Sequence, residues 1–140
     1  MTATRCDRWA SPIEALAGTE STRGVGVDVI EIGRVQNSLE RFGQRFLDRV
    51  YTPAEQAYCR GRAPQLAGRF AAKEAVSKAL GTGIRRIHWR NIEVLPNRAG
   101  APKVTLYGPA RQRFEGLGMR GIEVSISHSR DNAVAIAIAS

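Results

Sequence analysis

The spacing of apolar residues changes several times along this chain, and each change marks a predicted element. Over residues 24–30 the period is two. Val25, Val27 and Val29 share one face, and Gly26, Asp28 and Ile30 share the other, as in a strand. From Glu31 onward the period lengthens, with Ile32, Val35, Leu39 and Phe42 at helical spacing. Residues 46–50 read as short and irregular. Thr52, Pro53 and Glu55 then supply an N-cap, a first-turn proline and a third-position carboxylate, so a helix is predicted from there to about Arg60. Residues 66–83 read as a single long helix, rich in alanine and stopped by Gly81 and Gly83. Beyond it the period returns to two. Residues 92–95 and 103–107 flank a turn over 96–100 and make a hairpin. A helix is predicted over 109–117, a strand over 122–127 and a final buried apolar strand over 133–139, with a polar connection at 128–132. Residues 1–23 lack this order. They read as a partly disordered extension with a short helix over 12–17, from which Trp9 could dock on the body. The order β-α-α-α-β-β-α-β-β predicts one α+β domain over 24–140, its sheet mainly antiparallel.

Several polar residues sit where this pattern does not want them. In the long helix Leu66, Phe70, Val76 and Leu80 form an apolar stripe, and Arg69 and Lys73 fall inside it. Glu74 and Lys78 lie one turn apart beside Ala67 and Ala71. Charges on an alanine-lined face imply close approach of some other group to the backbone; the alternative is an ordinary i,i+4 pair on a surface helix. Asp28 lies inside a strand, where aspartate is disfavoured. Buried, it would need a cation or hydrogen-bond donors. Otherwise it faces water from an edge strand or caps the following helix. His128 follows a strand. Two carboxylates suit Mg²⁺, which takes oxygen ligands, keeps several waters and commonly shares a substrate phosphate. Two histidines and two scattered cysteines do not make a zinc site.

Composition adds limits. Hydrophobic residues make up 43% of the 140 and charged residues 24%, ordinary values for a globular protein. The apolar runs are too short to span a bilayer, and the N-terminus lacks an apolar signal core. The expectation is a cytoplasmic, non-membrane protein with free thiols at Cys6 and Cys59. The net charge of +8 favours acidic partners without choosing among them. A basic nucleic-acid-binding domain without catalysis is the alternative on charge alone. Aromatic residues are only 6%, and no basic stretch is interleaved with stacking rings.

Three blocks in order carry a resemblance: GVGVDVIEIGRV at 24–35, GRFAAKEAVSKALGTGI at 68–84 and VSISHSRDNAVAIAIA at 124–139. With the turn Gly100-Ala101-Pro102 between them, the chain resembles the holo-(acyl-carrier-protein) synthases, small 4′-phosphopantetheinyl transferases. Phe70 stands where the family often has Trp, and Ala101 where Lys is common. The resemblance implies that family's fold, with helices and a mainly antiparallel sheet around one long central helix. It implies Mg²⁺-dependent transfer of the 4′-phosphopantetheine arm of coenzyme A to a serine of apo-acyl-carrier-protein, releasing adenosine 3′,5′-bisphosphate, for fatty-acid biosynthesis. Asp28 and Glu74 match the metal ligands, and Glu74 is also the candidate base, with His128 as the other option. Lys78 matches a catalytic lysine at the pyrophosphate. Arg69, Pro102 and His128 match cofactor-binding positions. Arg34, with Arg41 and Arg45 behind it, matches the basic helix that receives the acidic carrier. The family implies a homotrimer with the cofactor between neighbouring subunits, no nucleic-acid partner and no membrane.

Overall fold

Strand β1 (Gly24–Glu31) opens the part of the chain that the computed structural model describes, residues 24–140. Cys6, Trp9 and the helix predicted over 12–17 lie outside the described residues. Helices α1 (Ile32–Phe42), α2 (Gln44–Val50), α3 (Pro53–Cys59) and α4 (Ala63–Ala79) follow. A short 3₁₀ turn (Trp89–Asn91) leads into strands β2 (Ile92–Pro96) and β3 (Pro102–Leu106). Helix α5 (Gly108–Gly116) and strands β4 (Ile122–His128) and β5 (Asn132–Ala139) complete the fold. The α+β class and the antiparallel pairing expected from sequence are both observed. One sheet has the order β1-β5-β4 and the other is the β2-β3 hairpin, with every pairing antiparallel.

The long helix α4 is central, as predicted, and belongs to both apolar clusters. Ala71, Ala75, Val76 and Leu80 pack with the sheet, while Leu66 and Ala67 pack with Ile32, Val35, Val50 and Tyr51. Its apolar character therefore runs around the helix rather than along one stripe. Arg69 and Lys73 are buried with the rest.

Two local readings are corrected. Residues 46–50 are not irregular; they belong to α2. Gly43, at φ +54, separates α2 from α1, and the Gln44 side chain bonds to Asp48 at 2.7 Å. Seven residues are too few to show a period, and the helix is held by packing, including an edge-on contact of Phe46 with Tyr51 at 5.8 Å. Helix α4 begins three residues before Leu66, at Ala63. Pro64 sits in its first turn, where a missing N–H costs nothing. The last helical residue of α4 is Ala79, four short of Gly83; the other boundaries agree to within a residue or two, and α3 carries the reciprocal Thr52–Glu55 capping box that its sequence announces.

What positions the functional residues is the fit of β1 against α4. A Cβ on Gly26 would lie 1.8 Å from the Ala75 carbonyl oxygen, and one on Gly24 would lie 2.0 Å from that of Ala79. Backbone meets backbone, so only glycine fits on the strand and a small residue on the helix. Strand β1 makes this close approach at Ala75 and Ala79, farther along α4 than the Ala67 and Ala71 face at which the sequence predicts one.

Candidate active site

Strand alternation that sends Gly24 and Gly26 toward α4 sends Asp28 the same way. Although β1 is an edge strand, the Asp28 side chain is only 17% exposed, because the face it takes is the one covered by α4. Lys78, in the last turn of α4, donates to Asp28 Oδ1 at 3.1 Å and to the Val27 carbonyl at 2.9 Å. The ordinary Glu74–Lys78 helix pair is thus displaced, because Lys78 turns to the strand. Glu74, one turn earlier, is half-buried, and its Oε1 accepts from the Trp89 indole at 3.0 Å. Asp28 and Glu74 line the same cleft of about 250 Å³, together with Arg34, Ser38, Phe46 and Phe70. A second hollow of about 360 Å³ adjoins it through Ser38, Phe46 and Phe70 and continues past Arg45, Arg49 and Trp89.

The chemistry of this donor set is that of a hard cation. Two carboxylates face one cleft, and among the described residues no group of three or more His, Cys, Asp and Glu side chains converges. A cation held by two carboxylates keeps most of its coordination sphere for water or phosphate oxygens, which suits Mg²⁺ better than an ion that wants a protein cage. Asp28 and Glu74 are offset by Lys78 and Arg34, so a divalent ion would leave the cleft cationic and ready for an anionic substrate.

Of the other predicted site residues, Arg69, Pro102 and His128 do not line this cleft. Arg69 is buried, with its guanidinium 4.5 Å over the Tyr58 ring, and its Nε–H has no acceptor among the described residues. His128 is the last residue of β4 and is exposed. It shares the α4-facing side of the sheet with Asp28, since its register runs through Ala133 to Ile30. Pro102 opens β3 in the other sheet, opposite Pro96. Arg34 lines the cleft and is exposed, Arg45 lines the adjoining hollow, and Arg41 stacks over Phe42 at 5.1 Å.

Two contributors are not evident from the sequence. Trp89 gives no signal, because a three-residue 3₁₀ turn has no period. The Lys73–Glu55 pair, 2.7 Å apart and fully buried, is half visible: Lys73 stands out inside an apolar stripe, but its partner lies 18 residues away in another helix.

The model of the 4′-phosphopantetheinyl transferase superfamily matches residues 24–138. The chain is 49% identical over 118 residues to a holo-[acyl-carrier-protein] synthase of Solidesulfovibrio magneticus, covering 83% of this chain and 96% of that one. The holo-[acyl-carrier-protein] synthase of Helicobacter pylori, solved in complex with coenzyme A, superposes with a TM-score of 0.77 at 32% identity, covering 83% of this chain and 99% of that one. A holo-(acyl-carrier-protein) synthase of Bacillus anthracis, solved in complex with CoA (3′,5′-ADP), gives 0.70 at 33% identity, covering 84% and 96%.

Proposed function

Because the chain belongs to the holo-(acyl-carrier-protein) synthase family of the 4′-phosphopantetheinyl transferases, we propose that it moves the 4′-phosphopantetheine arm of coenzyme A onto a serine of an apo-acyl-carrier-protein. The observation that carries this reading to particular residues is the meeting of Asp28 and Glu74 at one cleft, with Lys78 bonded to Asp28. In the reaction the serine oxygen forms a bond to the phosphorus that bears the pantetheine arm. The bond from that phosphorus to the bridging oxygen breaks, and adenosine 3′,5′-bisphosphate leaves with the electron pair. Glu74 takes the serine proton, directly or through a water. Lys78 offsets charge on the pyrophosphate as the leaving group forms. Asp28 and Glu74 would hold Mg²⁺, which when bound supplies Lewis-acid polarisation of the phosphate.

Arg69, Pro102 and His128 are read as groups that a neighbouring subunit brings to the cofactor, in a homotrimer. Two features support this. The Arg69 Nε–H is buried without an acceptor among the described residues, as befits a donor waiting for an anion. The sheet face away from α4 exposes Val25, Val27, Val29, Ile136 and Ile138, an apolar surface of the kind that marks a protein interface. Arg34 receives the acidic carrier, helped by the net charge of +8, which speeds encounter with an anionic partner. Among the described residues no helix is long and apolar enough to cross a membrane. The cytoplasm is the compartment, and fatty-acid synthesis the process, that this reading assigns.

The test is direct. With Mg²⁺, coenzyme A and apo-carrier, the carrier should gain the mass of one phosphopantetheine arm. No gain, when an established transferase modifies the same carrier, overturns the proposal. Asp28→Ala and Glu74→Ala should each abolish transfer with circular dichroism unchanged, and full activity in both would remove the metal assignment.

A further inference from the structure

Lys73 and Glu74 are consecutive on α4 and leave the helix about 100° apart, yet both bond to the same residue. Lys73 Nζ donates to the Trp89 carbonyl at 2.9 Å, and the Trp89 indole donates to Glu74 Oε1 at 3.0 Å. Lys73 is itself immobile. It is fully buried, bonded to Glu55 at 2.7 Å and to the Ile92 carbonyl, and Glu55 in turn accepts from the backbone of Thr52 and Val94 at 2.9 Å each. The Trp89 ring lies against Phe70 at 5.8 Å and under the Arg49 guanidinium at 5.9 Å. The residue is therefore gripped at its backbone, at its ring and at its one side-chain donor.

A glutamate has several side-chain torsions to freeze before it can serve as a ligand or base in one orientation. Nothing on α4 itself does this for Glu74, since Lys78 is engaged with Asp28. We propose that Trp89 is a positioning residue for Glu74: its indole N–H holds Oε1 and thereby presents Oε2 to the cleft. The buried Lys73–Glu55 pair anchors Trp89 from behind. This inference rests on the reading of Glu74 as a ligand of the cation. Donors to a metal-binding carboxylate commonly change metal affinity or activity by about 10–100-fold when removed.

The test uses the full-length protein with Trp9→Phe, so that Trp89 is its one tryptophan. Two variants are compared with this parent. One is Trp89→Phe, which keeps an aromatic ring. The other carries β-(3-benzothienyl)alanine at position 89, which keeps the bicyclic shape and puts sulfur where the N–H was. Mn²⁺ binding, read by electron paramagnetic resonance, should weaken about tenfold in both, and kcat should fall about tenfold with KM for the carrier unchanged. The benzothienyl protein should melt where the parent does, which separates positioning from folding. Parental Mn²⁺ affinity and kcat in the benzothienyl protein would overturn the inference and leave the transferase reading standing. A parent that transfers phosphopantetheine but binds no Mn²⁺ would overturn the ligand assignment of Glu74, and this inference with it.

Discussion

Lys73 has no exposure at all, and its ammonium has three donors for which the fold supplies three acceptors: Glu55, the Trp89 carbonyl and the Ile92 carbonyl. Burial lowers its pKa, and the Glu55 charge opposes that. Lys73→Met would strand the Glu55 carboxylate in the core. The expected loss is about 3–5 kcal/mol in urea unfolding, of which Glu55→Gln in the same chain should recover part. Cys59 and Tyr51 make a different contribution nearby. Burial pushes the Cys59 thiol up from 9.0 to about 11, and raises the Tyr51 phenol, whose hydroxyl donates to the Leu66 carbonyl at 2.7 Å. For the thiol the folded state holds its proton more tightly than the unfolded state. The stability it contributes is fully present below about pH 9 and is lost as pH rises through about 11. Urea midpoints measured across that window should decline for the parent and decline less for Cys59→Ala.

At the scale of elements, the site depends on how closely β1 lies on α4. The distance is set by atoms that are absent, the side chains of Gly24 and Gly26, which let the strand backbone reach the Ala75 and Ala79 carbonyls. The same approach lets Lys78 reach both the Val27 carbonyl and Asp28. Gly26→Ala should therefore push the strand off the helix, at a cost of about 1–3 kcal/mol or more, and reduce transfer beyond what the stability loss explains. A thermal melt combined with an activity assay under conditions where the variant is folded checks this. The alternation of β1 is legible in the order of its residues, and so is the alanine content of α4. That the two belong to one contact is not, since residues 24–26 and 75–79 are some fifty positions apart. Helix α2 is hidden for a related reason: its seven residues are helical because Phe46 and Val50 pack on the body, not because their own propensities require it.

For the whole molecule, the telling surface is the sheet face away from α4. Val25, Val27 and Val29 are 57%, 53% and 63% exposed in the single chain, and Ile136 and Ile138 are 42% and 45%. The valine alternation announces a second face for β1 without saying what covers it. If a neighbour covers it, Val27→Asp should leave the fold intact, yield monomers in sedimentation velocity and lose transfer, because Arg69, Pro102 and His128 would no longer meet a neighbour's cleft. A Val27→Asp protein that sediments as the parent does would remove the subunit-sharing proposal.

The periods of the apolar residues, with the capping signals, determined every strand, every helix but α2, the central place of α4 and the antiparallel class, because those depend on local spacing. The three family-like blocks likewise singled out Asp28, Glu74 and Lys78 by residue type. The tertiary structure alone decided which groups touch: Lys78 with Asp28, Trp89 with Glu74, and Lys73 with Glu55. Each of those bonds joins residues 15 or more positions apart. A hydrogen bond reaches about 3 Å whatever the separation along the chain, so only packing in three dimensions chooses its partners.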